Sequence, residues 1–315
     1  MKPPLYIHVG RATHFLRWEI IEFKKYFTLA ERPSAEVALL SFGPDVLEEA
    51  SKLPALKRFG VLFPGFGKNP VHNLELREAQ RRIITNCFDQ IFINPGPLEI
   101  AYDGLINVSL YPFSVDVGMI KCRSYRKSIN SVLHVSNDGP QKDWQRSQTA
   151  MQATGLKYEV FPPRDKAYLD KQVIRNNFKN KLRTSLKMQT KYYLPHGYVD
   201  HSIVIKKYQQ YDGFVHIAGE IKNRSVLDGK YTASFIEAGL TGAILFWHDT
   251  FNLGNDLKTV FSLSKDPIEA AQEILEIRSS IDVQEHSRRT REELLATFNP
   301  QHSVKVRAEK ILPLL

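Results

Sequence analysis

The sequence predicts an α/β protein of two domains, each a parallel sheet with helices on both faces. Three observations carry this. Short apolar runs alternate with stretches of helical apolar spacing from the first residues onward. Turns rich in Pro and Gly close the runs. After a basic seam in residues 113–130 the same alternation begins again.

Taken in order, Leu5–Val9 is a strand ending at Gly10, and Phe15 to Leu29 carries apolar residues at helical spacing. Glu36–Phe42 reads as a strand, Pro44–Leu53 as a short helix, and Gly60–Phe63 as a strand stopped by Pro64 and Gly65. Leu74–Ile84 is a helix, and Gln90–Asn94 a strand ended by Pro95, Gly96 and Pro97. Ile106–Leu110 completes the first series. The seam, with Lys121, Arg123, Arg126 and Lys127, reads as a linker plus an exposed helix. The second series has strands at Val132–Val135, Tyr158–Phe161, Phe214–Ile217 and Ala243–Phe246. Its helices are Gln141 to Thr154, Ala233–Leu240, Pro267–Ile277, Val283–Leu295 and Val304–Leu314. Strand–helix alternation of this kind gives two Rossmann-like domains, the N-terminal one short, expected to face each other across a cleft. Open α/β sheets bind ligands beyond the carboxyl ends of their strands.

At 315 residues and 43% hydrophobic content the chain is long enough for two cores and is neither disordered nor fibrous. No apolar run approaches the ~20 residues a membrane-spanning helix needs. Two scattered cysteines, Cys87 and Cys122, form neither a disulfide framework nor a metal cluster. With no signal-peptide pattern at the N-terminus, the expectation is a reduced, cytoplasmic protein. The formal charge of +9 points to an anionic partner: DNA, a membrane face or a phosphorylated substrate.

Several segments carry chemistry. Gly229, Tyr231 and Thr232 stand just ahead of the helix at Ala233, where a glycine turn and free N–H groups suit a phosphate. Thr232 is also a helix-cap residue. Glu237, among apolar neighbours on that helix, needs a partner if buried, and a ribose hydroxyl is one. Lys142 opens a helix, where a cation is unfavourable unless an anion lies between it and the helix end. Gly197 and Tyr198 offer close backbone approach and an aromatic face to a nucleobase. His196 and His201 lack metal-ligand spacing, and no Asp-any-Asp motif calls for a metal. His216, in an apolar strand, reads as a satisfied core histidine. Gly10 and Arg11 fit an acceptor at the end of the first strand, and His14 a base for its hydroxyl. Arg175, Lys179, Arg183 and Lys187 recur every four residues in a tract that holds no acid from Lys171 to Tyr193. On a helix they form one basic stripe for an anionic acceptor, either DNA phosphates or membrane headgroups.

The second half resembles the carboxyl-terminal domain of GT-B glycosyltransferases, the two-domain nucleotide-sugar enzymes. Val132–Pro140 with Lys142 resembles their donor-phosphate region, His196-Gly197-Tyr198-Val199 their base-side loop, and Tyr211–Val215 a later strand. Gly229 through Gly242, with Glu-Ala-Gly at 237–239, resembles the segment that grips diphosphate and ribose. Tyr111–Asp116 resembles the stretch before the domain crossover. The resemblance implies an acceptor-side domain over 1–116, a nucleotide-sugar domain over 117–300, and a last helix, 301–315, crossing back. It implies a nucleoside-diphosphate sugar donor, a UDP-sugar first among them, as substrate rather than tightly bound cofactor. Glu237 then binds ribose, and Thr232 and Lys142 the diphosphate.

The pattern departs from the retaining subgroup at two places. Gly229 stands where that subgroup has a Glu, which makes Glu220 the candidate replacement carboxylate, beside an apparent insertion at 221–228. Asn137 stands where it tends to have an Arg. A narrower likeness joins Tyr231-Thr232, Glu237, Gly239, Gly242, Phe246-Trp247 and Asn252–Leu257 to T-even phage DNA α-glucosyltransferases, implying a hydroxymethylated DNA base as acceptor beside a surface glycan or lipid-linked saccharide. A nucleotide-sugar epimerase and a non-catalytic nucleic-acid-binding protein with a degenerate sugar site are the alternatives.

Overall fold

The computed structural model describes residues 2–9, 17–63, 70–71, 73–111, 114–136, 142–188, 190–191, 193–194, 199–217, 229–250 and 254–315. The chain divides into two units. The first comprises Met1–Val117, Ile221–Thr232 and Ala296–Leu315. The second comprises Gly118–Glu220 and Ala233–Leu295.

The first unit is built on β1 (Pro4–Val9), β2 (Thr28–Leu29), β3 (Ala38–Phe42), β4 (Arg58–Leu62), β5 (Gln90–Ile93) and β6 (Val108–Leu110). These form one parallel sheet in the order β2-β1-β3-β4-β5-β6. Its helices are α1 (Arg17–Phe23), α2 (Leu47–Lys52), α3 (Leu74–Cys87) and α4 (Pro97–Tyr102). One core joins Leu5, Leu40, Phe59 and Phe92 to Phe23 of α1 and to Val304, Ala308 and Ile311. A second joins Leu39, Leu62 and Ile91 to Leu47, Ile84 and Tyr102. The sheet is thus covered on both faces, as a parallel sheet requires.

The second unit contains β7 (Ser131–Val135), α5 (Trp144–Ala153), β8 (Lys157–Phe161), α6 (Lys166–Ser185) and the hairpin β9 (Tyr193–Leu194) with β10 (Val199–Asp200). There follow α7 (His201–Tyr208), β11 (Gly213–His216), α8 (Ala233–Leu240), β12 (Ile244–Trp247), β13 (Val260–Ser262) and α9 (Pro267–Ser280). The chain ends with α10 (Val283–Phe298) and α11 (Pro300–Ile311). The parallel sheet runs β13-β12-β11-β7-β8. β7, β11 and β12 are buried along their length, while β8 at the edge is exposed at its start. In both sheets the second strand turns outward past the first and the third returns on the other side. Winding of this kind creates a switch point, between β1 and β3 in one sheet and between β7 and β11 in the other.

Four departures from the sequence expectation have physical reasons. The helix expected to run from Phe15 to Leu29 stops at Phe23, and Thr28 and Leu29 pair with Pro4 and Leu5 as an edge strand. Its apolar spacing persists because Phe23 and Phe27 enter the same core. Pro97, expected only to end β5, opens α4 as its first residue, where its fixed φ and missing N–H cost nothing. The helix α7, for which the sequence reading placed no element, is started by Asp200, whose side chain accepts from the Ser202 N–H at 3.0 Å. The seam, expected to hold an exposed helix, has only a single 3-10 turn, Val117–Met119, among its described residues. Arg126 in that seam is buried, and its guanidinium donates to the carbonyls of Tyr211 and Tyr208, each at 2.9 Å.

Candidate functional site

The switch point of the second sheet gathers unusual polar chemistry. His134 near the end of β7 and His216 at the end of β11 are buried, and their rings stack with centroids 5.5 Å apart and planes 5° from parallel. His134 Nδ1 lies 2.9 Å from the Val215 carbonyl, which can only accept, so Nδ1 carries the proton. Nε2 of the neutral ring then accepts from the Ser136 hydroxyl at 2.8 Å. Ser136 Oγ in turn accepts from Arg164 at 3.0 Å, and the Ser136 carbonyl from the same guanidinium at 3.2 Å. Arg164 follows Pro162 and Pro163 beyond β8 and covers the Trp144 ring at 4.9 Å.

Both imidazoles are held neutral. Burial pushes His134 well below the ordinary histidine range, helped by His216, Arg164 and Lys142, with the Val215 bond opposing them. Burial, then Lys142 and His248, push His216 down to about 3. Lys142 is 8% exposed, so its amine acts on these rings from inside the protein. His216 Nδ1 is buried with no hydrogen-bond partner among the described residues. The expectation of a satisfied core histidine therefore holds for burial and fails for bonding. A buried polar atom left bare is costly, and a ligand is one reason for it to persist.

A second buried centre lies in the same unit. Glu237 on α8 is 6% exposed, and its Oε1 is 3.0 Å from His201 Nε2 at the start of α7. Its Oε2 is buried without a hydrogen bond among the described residues. Burial and the nearby Glu237 charge together raise the Tyr208 hydroxyl well above its ordinary value. The position of α8 is set by Gly239, where a Cβ would collide with Leu294 and Leu245. The carboxylate can accept up to about four hydrogen bonds, so one oxygen shared with His201 still leaves sites for hydroxyl donors.

The segment ahead of α8 groups with the first unit. Lys230 N–H donates to the Pro95 carbonyl at 3.0 Å, and the backbone passes so close to Gly96 that a Cβ there would lie 2.7 Å from Lys230 N. Gly96 also has φ +128°, a conformation that favours glycine. The Tyr231 ring stands edge-on to Phe298 at 6.2 Å. Tyr231 and Thr232 are buried and Gly229 is half-buried.

Of the residues expected from sequence, Lys142 and Glu237 thus belong to the second unit and Gly229, Tyr231 and Thr232 to the first. Gly10, Arg11, His14, Gly197, Tyr198 and Glu220 lie outside the described residues. Arg175, Lys179 and Arg183 lie on α6, whereas Lys187 lies past its end in a left-handed conformation, so only the first three follow a helical stripe. His134, Ser136, Arg164 and the role of His201 escaped the sequence reading. A histidine placed near the end of each of two adjoining apolar strands was the available signal.

Two parallel sheets, both covered by helices and wound in the same order, define a protein of the GT-B fold class. No family model and no curated protein matches the chain. Solved structures do. TarM, from S. aureus, aligns with a TM-score of 0.56 at 16% identity over 89% of this chain and 55% of its own. HepE of Anabaena, solved with UDP-glucose, aligns at 0.60 and 10% identity over all of both chains. AviGT4, a glycosyltransferase involved in avilamycin A biosynthesis, aligns at 0.56 and 10% over 100% and 98%. The chain therefore spans about half of TarM and the full length of HepE. What these likenesses share with the chain is the fold.

Proposed function

We propose that the chain is a glycosyltransferase that moves a sugar from a nucleoside-diphosphate sugar, a UDP-sugar first, onto an acceptor hydroxyl. The observation that carries this reading is the switch point of the second sheet, where Lys142 acts on two neutral imidazoles, Arg164 acts on that of His134, and His216 Nδ1 has no partner among the described residues. In the reaction the acceptor oxygen bonds to the anomeric carbon as the bond from that carbon to the diphosphate breaks. Negative charge grows on the departing diphosphate, and preset cations and N–H donors are what stabilise it. Lys142 supplies one cation. Arg164 supplies the second, replacing from the end of β8 the arginine that Asn137 does not provide. Glu237 Oε2 accepts from a ribose hydroxyl while His201 fixes Oε1. The hydroxyl proton passes to a base for which Glu220 and His14 are the candidates.

The relatives support the donor: HepE was solved with UDP-glucose and with UDP. The acceptor is either a hydroxymethylated DNA base or a surface or lipid-linked saccharide. A panel of nucleotide sugars, read by release of nucleoside diphosphate with each acceptor class, tests the proposal. Acceptor-dependent release is the expected result. Conversion of the donor without acceptor identifies an epimerase instead. Salt-sensitive DNA binding with no release from any donor identifies a non-catalytic DNA-binding protein.

A further inference from the structure

The helix α6 is a 20-residue element, about 30 Å long. It is held to its unit by one side only. Leu169 and Asn176 are buried. Asn180 clasps the backbone of Lys191, donating to its carbonyl at 2.8 Å and accepting from its N–H at 2.9 Å. On another face of the helix stand Ile174, Phe178, Leu182 and Leu186, exposed by 72%, 67%, 51% and 61%. They recur every four residues, so they form a continuous apolar row. The basic row Arg175, Lys179 and Arg183 runs beside it, displaced by one residue at each turn, and Lys187 follows just past the helix end.

Four large apolar side chains in water at helical spacing need a partner. The charges choose which. A second copy of this helix would set one basic row against another. DNA would satisfy the cations and leave Ile174 and Phe178 in water, because phosphates are met by Lys and Arg. An anionic bilayer satisfies both rows at once: the apolar row enters the acyl boundary while the amines and guanidinia stay among the headgroups. Among the described residues no helix is long and apolar enough to cross a membrane, so α6 would lie along the surface. We infer that α6 is a membrane-interfacial helix that docks this chain on anionic lipid. The inference rests on α6 alone and stands apart from the donor site.

Flotation of the full-length protein with vesicles tests it. Vesicles of phosphatidylcholine with phosphatidylglycerol should carry the protein up the gradient, and phosphatidylcholine alone should carry much less. Phe178→Ser with Leu182→Ser should weaken partition at least about ten-fold, since two apolar side chains no longer leave water. Arg175→Glu with Lys179→Glu should abolish the preference for anionic vesicles. A Phe178→Trp variant keeps the apolar row, and its added fluorescence should be quenched by lipid brominated on the acyl chain. Absence of flotation with anionic vesicles, or of quenching in folded Phe178→Trp, overturns the inference. So does flotation insensitive to the serine pair, which marks a purely ionic contact. A dimer that Phe178→Ser converts to monomer, without vesicle binding, assigns the row to a second copy and likewise overturns it.

Discussion

Two buried polar clusters, one in each unit, differ in what surrounds them. In the first, Arg307 is fully buried between a carboxylate, a serine and three aromatic rings. Its Nη1 lies 2.9 Å from the Glu19 carboxylate, and its Nε and Nη2 donate to the Ser303 carbonyl and hydroxyl. The guanidinium plane stacks near Phe23, Phe42 and Tyr111 at 5.2, 5.8 and 4.6 Å. Ser114 bonds Glu19 and accepts from Trp18. In the second unit, His216 Nδ1 and Glu237 Oε2 are buried and have no hydrogen-bond partner among the described residues. Bare buried atoms occur in the first unit too, His8 Nε2 and Ser41 Oγ among them, so what sets His216 apart is its place at a sheet switch point near Lys142.

The largest effect that could break this comparison is Glu19→Ala. It leaves Arg307 charged in the core, and we expect a loss of about 3–5 kcal/mol in equilibrium denaturation followed by probes of the first unit. A loss below about 1 kcal/mol would mean that the ion pair behaves as an exposed one and that the closed network is not what holds the core.

Next in size is the response of the second unit to acid. His134 and His216 are neutral when folded, but in the unfolded chain they take up protons below the ordinary histidine value of about 6.5. Stability is therefore complete above that pH and falls as pH drops toward about 3, by several kcal/mol for the pair. Denaturation at a series of pH values should show a shallower acid slope for His216→Phe than for the parent. Equal slopes would remove His216 from the buried neutral pair.

Glu237→Ala sharpens the comparison on the ligand side. Losing a charged hydrogen bond to ribose, worth about 1.5–3 kcal/mol, should weaken UDP binding ten- to hundredfold in calorimetry. Unchanged affinity in a folded variant takes Glu237 out of the donor site. Arg164→Ala should have a smaller effect, near 1 kcal/mol, because its guanidinium also serves Ser136. Its mark is a reduced salt dependence of UDP affinity, and an unaltered salt dependence argues that Arg164 only braces the loop.

How far the sequence could be read follows the same physics. Both sheets were legible because their strands are short apolar runs closed by Pro and Gly, and Ala233–Leu240 is a helix to the residue. Glu237 and Lys142 were legible because a charge among apolar neighbours or at a helix start announces a need. His134, Ser136 and Arg164 were not, since they meet only when β7, β8 and β11 align, and no spacing within one segment encodes that. The apolar row on α6 shares its four-residue period with the basic row, and only the exposure of Ile174, Phe178 and Leu182 tells the two apart. The exposed linker expected around Arg126 failed for a related reason: a guanidinium that binds carbonyls from distant residues looks, in sequence, like any surface charge.

The central claim is that the switch point of the second sheet binds a nucleoside diphosphate. Calorimetric titration of UDP into the parent protein and into Lys142→Ala tests it most directly. The account predicts saturable binding by the parent and a loss of about tenfold or more in the variant, since a buried cation near the diphosphate is worth ~1.5–3 kcal/mol. A folded parent that takes up no nucleoside diphosphate, or a variant that binds it equally well, contradicts the account.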